Sequence, residues 1–210
     1  MTVFRGGPAV VAAVLDFLES GNGGANQTLN DVLTDVRTAH SIVDGDGTDG
    51  TPVTLPDIKA FFPWVSPGPF GSKFPHIGIE WAGHAGENDP HSGRGFSHRI
   101  RLVLYLPVAV VAPFITTAPP VPSSDRDEYQ AAAYAAAMYD LALCTLFLRD
   151  ASTGTAQGKS LANGGPGFAA GHVRRAIVTG SEVAAAGDPG APALALITDL
   201  TVTISEPYRA

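Results

Sequence analysis

The sequence is poor in charged residues and contains a single cysteine. Charged residues make up 16% of its 210 residues, with a formal net charge of -7, against a usual share of roughly 25% in soluble domains. Because Lys and Arg are few and scattered, no basic stripe is available to neutralise phosphates, and nucleic-acid binding is disfavoured. The lone Cys144 excludes a disulfide framework within the chain and favours a reducing compartment.

The sequence also lacks an obvious signal peptide or membrane span. The apolar run 10–15 is followed at once by Asp16 and Glu19, with no small-residue cleavage site, so a signal peptide is not expected. The run 131–148 is long enough to cross a bilayer, but it is rich in alanine and carries Asp140 at its middle. We expect a buried helix there and no association with a membrane.

Glycine and proline are abundant, with 24 and 17 residues respectively. Such a composition predicts long loops between the regular elements. A chain of 210 residues can bury one substantial core, so we expect a single domain over the whole length. The predicted loops are 44–73, 83–97, 107–123 and 150–171.

Two short helices are predicted near the N-terminus. Pro8 opens a segment with apolar residues at helical spacing, and Gly21 is a natural stop. Thr28, with Asp31 three residues later, has the pattern of a helix cap, and that helix should end by His40.

A long central helix is predicted over residues 124–149. Ser124 and the acidic residues after it favour a helix start. Alanines along this segment allow close approach to a sheet or to another helix. The expected apolar stripe consists of Met138, Leu141, Thr145 and Leu148.

Alternating apolar and polar residues predict four strands. They are residues 74–82, 99–106, 173–178 and 194–204. In the first, Ile77, Ile79 and Trp81 should face the core. The fold class is therefore α+β: an antiparallel sheet of about four strands, with the central helix and a short N-terminal helix packed on one face.

Two glycine-rich segments resemble phosphate-binding loops without meeting the requirements. In GTAQGKS (154–160) only three residues separate the two glycines, and the segment follows a helix where the motif needs a strand. GPGFAAG (165–171) precedes a strand, so a bound pyrophosphate would lack a helix N-terminus. Both segments are interpreted as loops.

Two groups of residues carry potential metal ligands. Asp44, Asp46 and Asp49 lie in a glycine-rich turn, but their spacing does not match a calcium-binding loop. The denser group contains three histidines, whose spacing matches no common zinc pattern. It consists of His84, His91 and His98, with Glu80, Glu87 and Asp89 between them. A solvated acidic turn and a polar loop tip that contacts a partner chain are the favoured interpretations.

The sequence therefore predicts no catalytic, cofactor-binding or metal-binding residue and no enzyme activity. The cluster of Phe61, Phe62 and Trp64 among prolines is either an exposed interaction patch or core packing, and the pattern does not choose between them. Combined with the polar loop tip, it gives the candidate partner interface. That interface comprises Phe61, Phe62, Trp64, His84, Glu87, His91 and Arg94.

The whole-chain plan resembles the tail terminator and head-tail neck (tail completion) proteins of long-tailed bacteriophages. Three features carry the resemblance, and together they cover nearly the whole chain. The first is the helix VVAAVLDFLES with the segment LPDIKAFFPW leading to FPHIGIEW. The second is HRIRLVLYL followed by DEYQAAAYAAAMYDLALCTLFL, and the third is the terminal strand ALALITDLTVTIS. The resemblance lies in architecture and element order, and it transfers no signature residue.

This resemblance implies a structural virion protein that forms a ring of about six subunits, as head-to-tail contacts allow. The ring would end tail-tube polymerisation and join the tail to the head, with the tail tube protein and neck or connector proteins as partners. It would assemble in the host bacterial cytoplasm, and DNA would pass through an acidic lumen without sticking. A small protein-binding module is the alternative, and an enzyme using a metal or a nucleotide comes third.

Overall fold

The computed structural model describes residues 6–24, 27–39, 41–43, 50–52, 55–64, 74–89, 93–111, 125–148, 173–188 and 190–206. The helices in these ranges are α1 (Gly7–Gly24), α2 (Leu29–Ala39), α3 (Val108–Val111) and α4 (Asp125–Leu148). The strands are β1 (Ser41–Val43), β2 (Gly50–Pro52), β3 (Ala60–Phe62), β4 (His76–Asp89), β5 (Gly93–Pro107), β6 (Val173–Asp188) and β7 (Ala191–Glu206).

The main sheet has five strands in the order β3-β4-β5-β7-β6. Four of them are antiparallel neighbours, while β3 pairs with β4 in parallel. The predicted α+β class is confirmed, but the sheet is mixed and has one strand more than expected. The additional strand, β3, lies inside the predicted loop 44–73. The short strand β2 lies in the same predicted loop and pairs antiparallel with β1, which precedes it.

The predicted loop 83–97 is wrong, because β4 and β5 form one long hairpin there. The two strands stay paired from Gly83 opposite Arg99 to Asp89 opposite Gly93. Glycine and alanine supply no alternating apolar pattern in this stretch, so backbone pairing and not side-chain burial extends the strands. One β-bulge interrupts the ladder between Trp81 and Gly83, and Gly83 adopts a φ of 119° that favours glycine.

The strand predicted over 173–178 is also much longer in the structure. It continues as β6 to Asp188, well past the predicted end at residue 178. The long terminal strand is confirmed as β7, which pairs with β5 on one side and with β6 on the other. Because β7 offers backbone hydrogen-bonding groups along its whole length, β6 remains paired with it beyond the apolar residues at the start of β6.

The helices agree closely with the predictions. α1 continues past Gly21, which has a φ of 57°, to Gly24. The cap of α2 is formed as predicted: the Asp31 N–H donates to the Thr28 hydroxyl at 3.2 Å, and the Thr28 N–H donates to the Asp31 carboxylate at 2.8 Å. Within the predicted loop 107–123, Val108–Val111 form the short helix α3.

The core lies between one face of the sheet and the helices. α1 packs on β4, α4 packs on β6 and β7, and α2 packs against α4. The buried face of α4 is built from Ala135, Tyr139, Leu143 and their neighbours, whereas Leu141, which was expected to face inward, is exposed. Among the described helices, none is long and apolar enough to cross a membrane.

Candidate interaction site at the open edge of the sheet

An open groove of about 460 Å³ lies where α1 meets the edge strand region of β4. Its walls come from three parts of the chain that are distant in sequence: the start of α1, the residues after β3, and the middle of β4. Most of the lining side chains are apolar, and two are tryptophans. The lining residues are Pro8, Val11, Ala12, Pro63, Trp64, Ile79, Glu80 and Trp81.

Trp81 forms one wall of this groove and is 42% exposed. Its expected burial in the core is therefore wrong. The indole lies over Gly7, its N–H donates to Nδ1 of His98 at 3.3 Å, and His84 stacks on it with ring centroids 5.8 Å apart. These contacts hold a large apolar ring at the surface in a defined orientation, as interface anchors require.

Trp64 forms the opposite wall and is 53% exposed. Its ring lies 5.8 Å from that of Phe62, while Phe61 is half-buried and packs against the core. The sequence left open whether this aromatic group is core or surface, and the structure divides it. Phe61 belongs to the core, and Trp64 belongs to an exposed apolar patch.

Phe62 is itself supported by a cluster of rings behind the groove. His76 is buried, and its ring lies 5.5 Å from Phe62, 4.9 Å from Phe74 and 5.1 Å from Tyr105. Rings packed at these distances restrict one another's rotation. Phe62, which contacts Trp64, is therefore held in a fixed position by its neighbours.

The floor of the groove is a backbone edge that β3 leaves open. The Lys59 N–H donates to the Pro75 carbonyl at 2.8 Å, and the pairing of β3 with β4 keeps the same offset up to Phe62 opposite Gly78. Continuing the series, residue 63 would donate to the carbonyl of Ile79. Residue 63 is proline, which has no N–H, so β3 cannot supply this bond. From Ile79 onward, no described strand pairs with this side of β4.

The second edge of the sheet is β6, on the far side from β3. Among the described strands only β7 pairs with it. Val183 lies in the middle of β6 and is 49% exposed, which makes it a rare large apolar side chain on the described surface. Val183 was not among the predicted interface residues, because the predicted strand ends at residue 178.

Three of the remaining predicted interface residues, His84, Glu87 and Arg94, lie in the β4–β5 hairpin. Glu87 is paired with Gly95, and Arg94 is paired with Asn88, so both sit in strands and not in a loop tip. His91 lies outside the described residues. His84 is 5.9 Å from His98 between ring centroids, but within the described part of the chain no group of three His, Cys, Asp or Glu side chains could hold a metal ion.

The face of the sheet opposite the helices carries a charged pair, Arg101 and Asp199. Arg101 donates to Asp199 across β5 and β7 at 3.0 Å, with both side chains about half exposed. This hydrogen bond and the attraction of the Asp199 charge raise the pKa of Arg101 above its usual value. Exposed pairs of this kind contribute little to stability, and Glu80 and Glu182 add further negative charge nearby.

The three sequence motifs at 44–49, 154–160 and 165–171 lie outside the described residues. Geometry therefore points to the groove and the two sheet edges as the candidate site, and the chemistry offered there is apolar contact and backbone pairing. No family model matches the chain, and no curated protein matches it.

Proposed function

We propose that this protein is a structural subunit that assembles with copies of itself into a ring, at the head-proximal end of a phage tail. In that position the ring ends tail-tube polymerisation and joins the tail to the neck. The tail tube protein and the neck or connector proteins are its partners. The proposal assigns no chemistry to the chain and no cofactor.

One observation carries the self-assembly: the sheet has two long edges without a partner strand among the described residues. They are β6 and the part of β4 from Ile79 to Asp89. Monomeric proteins blunt exposed edges with lysine, proline or very short strands. From Ser181 to Ala186, by contrast, β6 is paired with β7 without interruption, and Glu182 is the only charged residue in that stretch.

The two edges differ in shape, which favours a closed ring. One edge carries the groove between Trp64 and Trp81, and the other carries the protruding Val183. Contact between two different surfaces is heterologous, and a heterologous contact generates a ring when the rotation between subunits closes. Two identical edges would instead favour a two-fold dimer.

The phage assignment rests on the resemblance in element order, which the described elements retain. A short helix precedes the β4–β5 hairpin, and the long α4 precedes the β6–β7 hairpin. The net charge of -7 suits a channel through which DNA slides, because like charges repel. A role in the virion follows from this assignment, with assembly in the cytoplasm of the bacterial host.

Native mass tests the self-assembly. Light scattering and mass photometry on the purified chain should find a closed oligomer, and six chains of 21.7 kDa give about 130 kDa. Negative-stain images should show rings. A monodisperse monomer of 21.7 kDa over a hundredfold range of concentration would overturn the proposal.

The position at the tail end needs a separate experiment. Added to polymerising tail tube protein from the same phage, the rings should bind tube ends and stop elongation. Tubes that grow to the same length with and without the chain would contradict the assignment as a terminator, while leaving self-assembly intact.

A small protein-binding module is the second candidate, and the Trp64–Trp81 groove favours it. Exposed tryptophans beside an open strand edge can hold an extended peptide by strand addition. A monomer that captures one partner through this groove would distinguish the two functions.

A further inference from the structure

We propose that His98 is a positioning residue for Trp81, and that protonation of its imidazole releases the indole and removes one wall of the groove. The groove is then an acid-sensitive interaction site. The consequence for assembly rests on the proposed function, whereas the release of the indole is a property of the single subunit.

The hydrogen bond between Trp81 and His98 fixes the protonation state of the imidazole. Nε1–H of Trp81 donates to Nδ1 of His98 at 3.3 Å. An indole nitrogen is a donor only, so the Nδ1 that faces it carries no proton. His98 is therefore neutral in this arrangement, with its one ring proton on Nε2.

Uptake of one proton by His98 removes the acceptor of this hydrogen bond. In the imidazolium form both ring nitrogens carry a proton, and the new proton, taken from solvent, lies on Nδ1. The N–H of His98 then faces the N–H of Trp81, and two donors cannot form a hydrogen bond with each other. The two groups must therefore separate.

The indole is the group that moves, because His98 is held on both sides. His98 is 4% exposed and lies opposite His84 on β4 and opposite Val202 on β7. Trp81 is 42% exposed and lies on the open part of β4, outside which no described strand pairs. A partly exposed side chain at a sheet edge reorients more easily than one that is packed between two strands.

Displacement of the indole removes the wall that it forms. Trp81 lies directly over Gly7, where even a single added carbon atom would collide with the ring, so the ring cannot move closer to α1. It moves outward instead, out of its stack with His84, whose ring centroid is 5.8 Å away. The apolar surface that faces Trp64 across the groove is then lost.

The strand neighbours of His98 on its own face of the sheet are almost all uncharged. They are Trp81, His84, Gly86, Phe96, Ile100, Leu200, Val202 and Ile204. His84 is the only titratable side chain in this set, with its ring centroid 5.9 Å from that of His98. The charged residues at the adjoining strand positions point to the opposite face, because side chains alternate along a strand. They are Glu80, Arg99, Arg101 and Asp199.

The helices on this side of the sheet carry three described charged side chains in α1 and α4. Asp16 and Glu19 of α1 lie at least nine residues after Gly7, which is about 13 Å or more along the helix axis. Asp140 of α4 lies 4.0 Å from Sγ of Cys144, and the short helix α3 has no charged residue. His84 is therefore the group that an experiment must separate from His98.

Protonation of His84 acts in the same direction as protonation of His98. Two charged rings at this separation repel each other, and His84 stacks on the indole whose emission is to be measured. His84→Phe keeps an aromatic ring over the indole and removes the second titration. The remaining acid response of Trp81 then reports on His98.

Fluorescence of Trp81 tests the release directly. In a Trp64→Phe, His84→Phe background Trp81 is the only tryptophan, and its emission is followed from pH 7.5 to pH 4.5. We expect a reversible shift to longer wavelength and at least a twofold increase in quenching by acrylamide, while the far-UV circular dichroism stays constant. No shift over this range, or a shift that accompanies loss of the circular dichroism signal, would overturn the proposal.

Two substitutions of His98 reproduce the two states of the hydrogen bond. In His98→Asn the side-chain oxygen takes the place of Nδ1 and accepts without titrating, so the emission should keep its neutral-pH position throughout. His98→Phe offers no acceptor, so its emission should lie at long wavelength at every pH. An acid shift as large in His98→Asn as in the background protein would contradict the role given to His98.

A measurement without any change at His98 covers the case in which these variants do not fold. In the same background, NMR follows the single indole N–H signal and the ring nitrogens of the histidines. The indole signal and Nδ1 of His98 should titrate with one midpoint. An indole signal that stays constant while Nδ1 takes up a proton would show that the bond does not hold the ring.

Native mass at two pH values tests the consequence for assembly. In the otherwise unchanged chain, the fraction of assembled subunits should fall at least tenfold between pH 7.5 and pH 5, and in His98→Asn it should fall less than twofold. Equal losses in both proteins would overturn the control of assembly by His98. A chain that is monomeric at both pH values contradicts the proposed function, and the fluorescence titration then still decides whether His98 positions Trp81.

Discussion

Gly7, the first residue of α1, lies directly beneath the indole of Trp81. A Cβ at this position would come within 2.6 Å of Cδ2 and 2.7 Å of Cε2 and Cγ of the ring. Real Cβ atoms do not approach this closely, so the absence of a side chain at Gly7 creates the space in which Trp81 lies. A residue at the start of a helix thereby determines the shape of a groove at the sheet edge.

Gly7→Ala should therefore displace the indole and break its hydrogen bond to His98. Overpacking at a buried contact costs about 1–3 kcal/mol, which here outweighs the gain in helix propensity. Trp81 fluorescence, recorded in a Trp64→Phe background, should shift to longer wavelength, and ring assembly should weaken.

Gly6→Ala is the matched control, because its Cβ would meet only the Cδ of Pro8, at 3.7 Å. This is ordinary contact, and a change within about 0.5 kcal/mol is expected. Equal effects of the two substitutions would contradict the role given to Gly7.

Asn30 in α2 binds the segment that leads into β3. Its side-chain N–H donates to the Ile58 carbonyl at 3.2 Å, and its side-chain oxygen accepts from the Ile58 N–H at 2.9 Å. Asn30→Ala removes both bonds and leaves the partner groups partly buried, so a loss of about 1–3 kcal/mol is expected in urea unfolding. Asn30→Asp keeps the acceptor for the Ile58 N–H but places a second carboxylate oxygen against the Ile58 carbonyl, so it should be destabilised as well. Stability equal to that of the parent in Asn30→Ala would contradict the role given to Asn30.

The cap of α2 predicts a second stability difference. Thr28→Ala removes the hydroxyl that accepts from the Asp31 N–H, and caps of this type are worth about 1 kcal/mol. Thr38 is the control, since its exposed hydroxyl donates only to the Thr34 carbonyl within the helix. Thr38→Ala should stay within about 0.5 kcal/mol of the parent. A midpoint of thermal unfolding that falls equally in both variants would refute the cap as the cause.

The sequence predicts the elements that bury large apolar side chains and misses those that do not. β7 and the second half of β5 place leucine, isoleucine or valine at alternate positions, and both were located correctly. The distal half of β4 and the second half of β6 consist largely of glycine, alanine and polar residues, and their pairing is imposed by neighbouring strands. The local sequence pattern does not reveal that a neighbouring strand will impose this pairing.

Of the two tryptophans in the groove, the sequence predicted only Trp64 as an interface residue. Trp64 stands among prolines, and this marks it as an interface candidate from the sequence alone. The exposure of Trp81 depends on Gly7, which is far away in the chain, and on a bulge beside it. Alternation assigned Trp81 to the core with Ile77 and Ile79, and only the tertiary structure shows that the helix covering them begins beneath its ring.

Tyr139 predicts how stability depends on pH. Its hydroxyl, in a residue 1% exposed, donates to the Pro56 carbonyl at 2.6 Å. Burial raises the pKa of Tyr139 well above its usual value, and this outweighs the opposing effect of the nearby Arg37 charge. The folded chain therefore retains the phenol proton at a pH where the unfolded chain has lost it.

The contribution of Tyr139 is fully present below about pH 10, the usual pKa of tyrosine. Above that pH the unfolded state binds fewer protons than the folded state, so stability falls by up to about 1.4 kcal/mol per pH unit from this group. Tyr139→Phe loses the hydrogen bond to Pro56, which costs about 1–2 kcal/mol at pH 8, but it has no phenol to ionise. Its stability should therefore decline less between pH 9 and pH 11, and the gap to the parent should narrow or reverse.

Urea unfolding of both proteins at half-unit steps of pH, at one protein concentration, measures this difference directly. The concentration is held constant because assembly stabilises the folded state by mass action. Taking the difference between the two proteins removes the titration of the other tyrosines and of the lysines. Two curves that remain parallel up to pH 11 would show that Tyr139 ionises equally readily in the folded and unfolded chains, and that its hydroxyl is not held in a buried hydrogen bond to Pro56.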